Sequence, residues 1–261
     1  MSRREVIKST ANPLVARLRA ALAGKHKGLI VLEGERLIDD ALRARFELEL
    51  AIVSESRAAR ADELEQRGVD TRVFDDELLG RISGLATSPG IVALARAPHD
   101  VRIGHPHLGP EALVLVAAGI ADPGNLGAVA RSAEAAGAEA LCVLAGGTSP
   151  WNGKALRGSM GSLLRLPVVS FADAAAAVDE LRAHGFRQVR AATRGGRAPS
   201  EFDWTGRVAL WVGSETGELP ELCESFERVT IPMRGSVESL NVTVAASLLL
   251  FAAGRVGEPR E

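Results

Sequence analysis

The chain has 261 residues, 46% of them hydrophobic, and a formal net charge of −2 at pH 7, enough apolar material for one large domain or two modest ones. A near-neutral balance argues against a sequence-blind nucleic-acid coat, which needs a broadly positive surface. The two cysteines, Cys142 and Cys223, stand in apolar or helical contexts without metal-ligand spacing and are expected reduced and buried, not part of a disulfide framework.

The first residues, Met1 to Lys8, are charged and lack an apolar core, so they read as neither a secretory signal nor a membrane span. A cytoplasmic location is the expectation. Positive charge is front-loaded: residues 1 to 36 hold eight Lys or Arg against three Glu, whereas residues 37 to 106 hold nine basic against thirteen acidic side chains. Arg3, Arg4, Lys8, Arg17, Arg19, Lys25 and Lys27 form the leading set, suited to phosphate contacts that position RNA without reading its sequence. Solvated helix faces would account for the same charges.

Asn12-Pro13 followed by Leu14, Val15, Leu18, Ala21 and Leu22 combines a cap, a proline near the first helical position and an apolar stripe at helical spacing, predicting a first helix. Short apolar runs at 29–32, 48–53, 72–74 and 91–95 alternate with helical stretches near 35–45 and 57–67, which describes a small α/β domain over residues 1–100. From 97 to 110 the chain is too rich in Pro and Gly to continue either element and reads as a linker. His99, His105 and His107 lie there, but no Cys or carboxylate cluster completes a ligand set, so no metal is expected.

Residues 108–261 form the second expected domain. Strands are predicted at 112–118, 140–144, 166–169, 188–192, 208–212 and 229–231, with helices at 123–137, 172–184 and 239–256, an α/β pattern with a largely parallel sheet. Two further basic concentrations occur here, one of Arg182, Arg187, Arg190, Arg194 and Arg197 and one around Lys154, Arg157 and Arg165.

Three segments carry candidate chemistry. Asp122-Pro123-Gly124-Asn125 leads from a strand into a helix bearing Arg131, at the carboxyl edge where α/β sheets take ligands. It lacks the G-x-G-x-x-G dinucleotide fingerprint. Gly213-Ser214-Glu215-Thr216-Gly217 follows another strand and sets a carboxylate between glycines. Ile231-Pro232-Met233-Arg234-Gly235-Ser236-Val237-Glu238-Ser239-Leu240-Asn241 leads into a long apolar helix, whose first turn has unpaired N–H groups. Each has a plain alternative: a capped helix, a glycine turn, and a core helix capped by Ser239.

Taken together, the three segments resemble the signature motifs of the SpoU family of RNA ribose 2′-O-methyltransferases. Asn125 to Ala133 fits N-x-G-A-x-x-R-x-A at every specified position. Leu156 to Pro167, with its R-x-S-M-G core, and the stretch from Asn12 to Leu42 with Glu33-Gly34-Glu35-Arg36-Leu37 look like the connection and the N-terminal RNA-binding domain of two-domain members.

The resemblance implies a SPOUT trefoil-knot domain behind a small α/β RNA-binding domain. It also implies S-adenosylmethionine held near Gly213, Ile231, Met233 and Leu240, and two subunits pairing through the catalytic domain. Asn125, Arg131, Glu215, Ser239 and Asn241 would form the active site, and Arg157 would contact RNA. A guanidinium is effectively always protonated, so Arg131 is read as an electrostatic clamp and not as the base. Ribosomal RNA is favoured over transfer RNA; a non-catalytic RNA-binding protein and a nucleotide-dependent α/β enzyme are the rival classes.

Overall fold

The computed structural model describes residues 5–26, 28–98, 102–103, 108–214 and 219–254. The chain falls into two compact units, Met1–Pro98 with Trp151–Leu156, and His99–Pro150 with Arg157–Glu261.

The first unit runs β1 (Val6–Ile7), α1 (Pro13–Leu22), β2 (Leu29–Glu33), α2 (Glu35–Arg43), β3 (Leu48–Ser54), α3 (Ala58–Gln66), β4 (Thr71–Phe74), α4 (Asp76–Ile82) and β5 (Ile91–Arg96). Its sheet has the order β1-β4-β3-β5-β2, with β5 antiparallel to both neighbours. Asn12 caps α1, its Oδ1 accepting from Leu14 N at 2.9 Å, and Pro13 takes the first helical position, where its missing N–H has no consequence. Val15, Leu18 and Ala21 of α1 pack with Leu50, Ile52, Phe74, Leu79 and Leu94. Burial of that stripe follows directly from its i, i+3, i+6 spacing. Two elements exceed the expected set: the two-residue β1 and the two-turn α4, capped by Asp75 on Leu78 N.

The second unit runs β6 (Leu113–Ala117), α5 (Pro123–Ala135), β7 (Ala140–Leu144), α6 (Gly153–Gly158, which begins among residues grouped with the first unit), α7 (Ser162–Arg165), β8 (Val168–Phe171), α8 (Ala174–Ala183), β9 (Arg187–Ala191), β10 (Val208–Val212), β11 (Glu227–Val229) and α9 (Val242–Ala253). The sheet order is β11-β9-β10-β6-β7-β8, parallel throughout. β6, β7 and β10 are buried at every position, as strands covered by helices on both faces must be. Ile103, on the linker side of the boundary, joins this core, and its N–H donates to Glu180 Oε1 at 3.1 Å.

One polar group inside the sheet is hydrogen-bonded at both its oxygen and its nitrogen. Trp211 Nε1 donates to Gln188 Oε1 at 2.8 Å while Gln188 Nε2 donates to Phe186 O at 2.7 Å, which removes the penalty of burying an amide. Both cysteines are buried and unpaired as expected. Burial pushes both thiols up, Cys223 to about 11.

β11 is enclosed. Val229 pairs with Ala191 of β9 on one side and with Arg197 on the other. On the far side Arg197 N donates to Arg228 O at 3.0 Å and Thr230 N to Arg197 O at 2.9 Å. The connection from β9 to β10 thus crosses β11 before returning to the sheet.

Among the described residues no helix is long and apolar enough to cross a membrane, and no group of three His, Cys, Asp or Glu could hold a metal.

Candidate active site

The carboxyl ends of β6 and β10 lie side by side, joined by Ala118 N donating to Val212 O at 2.9 Å. The segments leaving them carry the first two motifs. Gly119 has φ +76, and a Cβ built on it would lie 3.9 Å from Ser214 Cβ, so the first motif's approach and the second motif's loop touch. Gly213 and Ser214 are half-buried there. Glu215 lies outside the described residues.

Helix α5 is capped by Asp122, whose Oδ1 accepts from Asn125 N at 2.9 Å. Asn125 therefore stands in the first turn and leaves the cap to the aspartate. Gly158 packs against Gly124 and Gly127: a Cβ built on it would lie 3.4 Å from Gly124 O and 3.7 Å from Gly127 Cα. That contact seats the R-x-S-M-G connection against the first motif and brings Arg157, half-buried at the end of α6, beside it.

Arg131 is exposed on α5, and among the described residues its side chain makes no hydrogen bond or ion pair. Its neighbours differ. Arg165 is held by Glu134 through two bonds of 2.7 and 2.8 Å. Burial pushes the Glu134 carboxyl up, yet the bonds from Arg165 and Ser162 outweigh it and hold it below the usual range. A guanidinium left without a carboxylate beside others that have one is chemically available to an anion.

The third motif differs from the sequence expectation at its helix start. Ser239 is exposed and lies outside α9; the helix begins at Val242 with Asn241 as cap. The Asn241 Oδ1 accepts from Thr243 N at 2.8 Å and Val244 N at 3.4 Å. An asparagine carbonyl reaches those orphan donors at least as well as a serine hydroxyl, so the later residue takes the cap. Thr243 Oγ1 lies 3.4 Å from both the Asn125 carbonyl oxygen and Asn125 Oδ1, uniting the first and third motifs. Farther along, Ser132 and Ser247 join α5 to α9. Sequence reasoning missed Thr243, Ser132 and Ser247, although Ser132 and Thr243 stand one and two residues from candidates it did name.

The loop between β11 and α9 has the character of a ligand cradle. Ile231, Met233 and Leu240 are half-buried apolar side chains, and the backbone from Ile231 to Leu240 belongs to no helix or strand, with a single turn at Gly235–Ser236. Amides and carbonyls outside helix and strand, beside apolar side chains, fit a flat heteroaromatic ring with a polar edge, as in an adenosyl group.

The expected RNA set is only partly available. Lys8, Arg19 and Lys25 are exposed, whereas Arg17 is tied to Glu49 at 2.5 Å, because α1 and β3 bring the two together. Arg3, Arg4 and Lys27 lie outside the described residues, as do His99, His105 and His107. In the Arg182–Arg197 cluster, Arg190 is bound twice by Glu224 and Arg187 by Glu227.

Comparison with known proteins agrees with this geometry. A sequence model of the SpoU rRNA Methylase family matches residues 112–251. The 23S rRNA (guanosine(2553)-2′-O)-methyltransferase RlmP of Bacillus subtilis is 30% identical over 223 residues, covering 85% of this chain and 86% of the relative. The crystal structure of an RNA 2′-O ribose methyltransferase superposes with a TM-score of 0.79 at 34% identity, covering 95% of this chain and 98% of the other. The SpoU methyltransferase AviRb from Streptomyces viridochromogenes, in complex with AdoMet, superposes with a TM-score of 0.83 at 28% identity, covering 93% and 97%. With its motifs converging at one carboxyl edge of a parallel sheet, this chain belongs to the SpoU rRNA methylase family.

Proposed function

We propose that this protein transfers a methyl group from S-adenosylmethionine to a ribose 2′-hydroxyl of ribosomal RNA. The observation that carries this reading is Arg131, a guanidinium without a partner among the described residues, on the helix whose first turn meets the third motif at Thr243. The likeness to RlmP and to the AdoMet complex of AviRb supports the substrate class and the cofactor.

Ile231, Met233 and Leu240 would hold the cofactor through half-buried apolar side chains and Gly213 through its backbone. Bound S-adenosylmethionine supplies an electrophilic methyl on a sulfonium centre. Arg131 clamps the target nucleotide by its phosphate or offsets negative charge growing on the 2′-oxygen as its proton leaves, which stabilises the charged state most where water is excluded. Asn125, Glu215, Ser239 and Asn241 fix the nucleotide's position by hydrogen bonds. Holding oxygen and methyl carbon in line removes much of the entropic barrier.

The first unit is assigned to RNA docking, with Lys8, Arg19 and Lys25 as phosphate contacts joined by Arg3, Arg4 and Lys27, and Arg157 as a contact near the active site. Two copies are expected to pair through the second unit. Helix α9 buries Val242, Ala246, Leu249, Leu250 and Ala253 yet leaves Val244, Leu248 and Phe251 about half exposed, at 47%, 49% and 52%. These three share one helix face, and a contiguous apolar stripe of that kind calls for a cover. A cytoplasmic location accompanies a ribosomal substrate.

The test is transfer of label from S-adenosylmethionine to protein-free ribosomal and transfer RNA from cells lacking this protein, with mapping of alkali-resistant positions. Label at one ribose of ribosomal RNA is expected. Label in transfer RNA alone would move the substrate, and no label from a protein that also fails to bind S-adenosylmethionine would overturn the catalytic reading.

A further inference from the structure

The sequence Arg194-Gly195-Gly196-Arg197 occupies the connection that crosses β11; Gly196 is demanded by how closely it passes and Gly195 by its backbone conformation. A Cβ on Gly196 would meet the carbonyl carbon and oxygen of Arg228 and Thr230 Oγ1, each at 2.7 Å. Gly195 has φ +75, and the Arg228 Nη1 lies 3.6 Å from where its Cβ would stand. With Arg197 N bonded to Arg228 O at 3.0 Å, the backbone fixes Arg194, Arg197 and Arg228 at one rim of the six-stranded sheet.

The neighbouring arginines are balanced within the fold. Arg190 is bound by Glu224 at 2.8 and 2.7 Å. Arg187 reaches Glu227 at 3.4 Å and also donates to the carbonyls of Asp203 and Thr205. Asp203 is the remaining carboxylate that senses this group: bonds from Thr205 first, then the charges of Arg187 and Arg197, hold it below the usual range. Arg194, Arg197 and Arg228 are exposed, and among the described residues their side chains make no hydrogen bond or ion pair. No large exposed apolar side chain lies between Ala192 and Ala198 or in β11, so the rim lacks the apolar centre of a protein interface.

We propose that Arg194, Arg197 and Arg228 form a contact surface on the second unit for the RNA phosphate backbone, separate from Arg131 and from the basic residues of the first unit. This rests on the RNA-methylating reading above. Forked guanidiniums on a glycine-pinned backbone present donors to phosphate oxygens with little ordering left to do. Each phosphate neutralised releases counterions, so the surface has a defined salt signature.

The experiment measures binding of the full-length protein to protein-free 23S ribosomal RNA across a salt series, for the wild type and for the triple variant Arg194→Ala, Arg197→Ala, Arg228→Ala. Loss of three contacts should reduce the slope of log affinity against log salt by about 2, at about 0.7 per phosphate on single strands. The corresponding triple lysine variant should keep most of the slope, since a point charge still releases counterions. Affinity for S-adenosylmethionine should be the same in all three proteins. A slope reduced by less than about 1 in an alanine variant that still binds S-adenosylmethionine would overturn this surface. A wild type that binds neither the RNA nor S-adenosylmethionine would instead overturn the reading beneath it.

Discussion

Ser132 Oγ and Ser247 Oγ lie 2.7 Å apart across the contact between α5 and α9. Ser247 Oγ also lies 2.6 Å from Thr243 O, so the single Ser247 hydroxyl proton is offered to two acceptors, the Ser132 oxygen and that carbonyl. The chain connects the residue beside Arg131 to the first turn of the helix that follows the third motif. Ser247→Ala should therefore lower stability by about 1 kcal/mol, the usual net value of such a bond. Denaturant titration of the two single alanine variants and the double would give a coupling of about 0.5 kcal/mol or more; additive losses would show that the two hydroxyls act independently.

The clamp role of Arg131 makes a distinction between fork and point charge. Arg131→Lys should reduce kcat by about 100-fold or more, in the range of a lost transition-state donor, with affinity for S-adenosylmethionine retained. Steady-state methyl transfer beside calorimetric cofactor binding separates the two. Wild-type turnover from the lysine variant would remove the planar, bidentate role.

Acid should act on the tie between α5 and α7. The Glu134 carboxyl is held below its ordinary value in the folded protein, so its contribution to stability is present above the unfolded value and is lost as pH falls through the folded one. Glu134→Gln should be less stable than wild type at pH 7, and the difference should close as pH falls below about 4. Urea midpoints for the two proteins over pH 3 to 7, on the order of ten conditions, would show it. A difference that persists at the acid end would place its origin elsewhere.

Leu248→Glu sets a charge in the middle of the exposed stripe on α9. Because Leu248 is 49% exposed, the fold of the single chain should tolerate the change, while a paired face should not. Sedimentation is expected to give a dimer for the wild type and a monomer for the variant, with helical content unchanged by circular dichroism.

Gly196→Ala should destabilise by about 1–3 kcal/mol, the range for overpacking a close contact. The obstacle at 2.7 Å is backbone of Arg228 as well as the Thr230 hydroxyl, so no side-chain rotation relieves it. Gly206→Ala offers a comparison: nothing lies within 4 Å of its Cβ position, and the cost there comes from its φ of +75 alone.

Most elements were readable because burial imposes a period. The α1 stripe, the uniformly apolar β6, β7 and β10 and the Asn12-Pro13 start all express local rules, and the predicted strands and helices fall on the observed ones within a few residues. β1 and α4 escaped because two strand residues, or seven helical ones, are too few to show a period. The start of α9 was misjudged because Ser239 and Asn241 are both good caps, and only the path of the loop decides between them. Within the candidate site, the motifs named Asn125, Arg131 and Asn241. The charge count overstated the available arginines, since Arg17, Arg165, Arg187 and Arg190 find carboxylates 31 to 40 positions away in sequence. Pairing across such spans is set by sheet order, which composition does not encode.

The order of the six-stranded sheet makes β11 an edge strand, and edge strands ordinarily offer a row of open backbone groups to other chains. Here the chain's own return past Arg197 occupies that row at Arg228 and Thr230. A foreign strand would have to displace a connection anchored at both ends in β9 and β10. The crossing that gathers the three arginines therefore also seals this side of the sheet against self-templated aggregation, so a loosened connection should reveal itself first as loss of solubility.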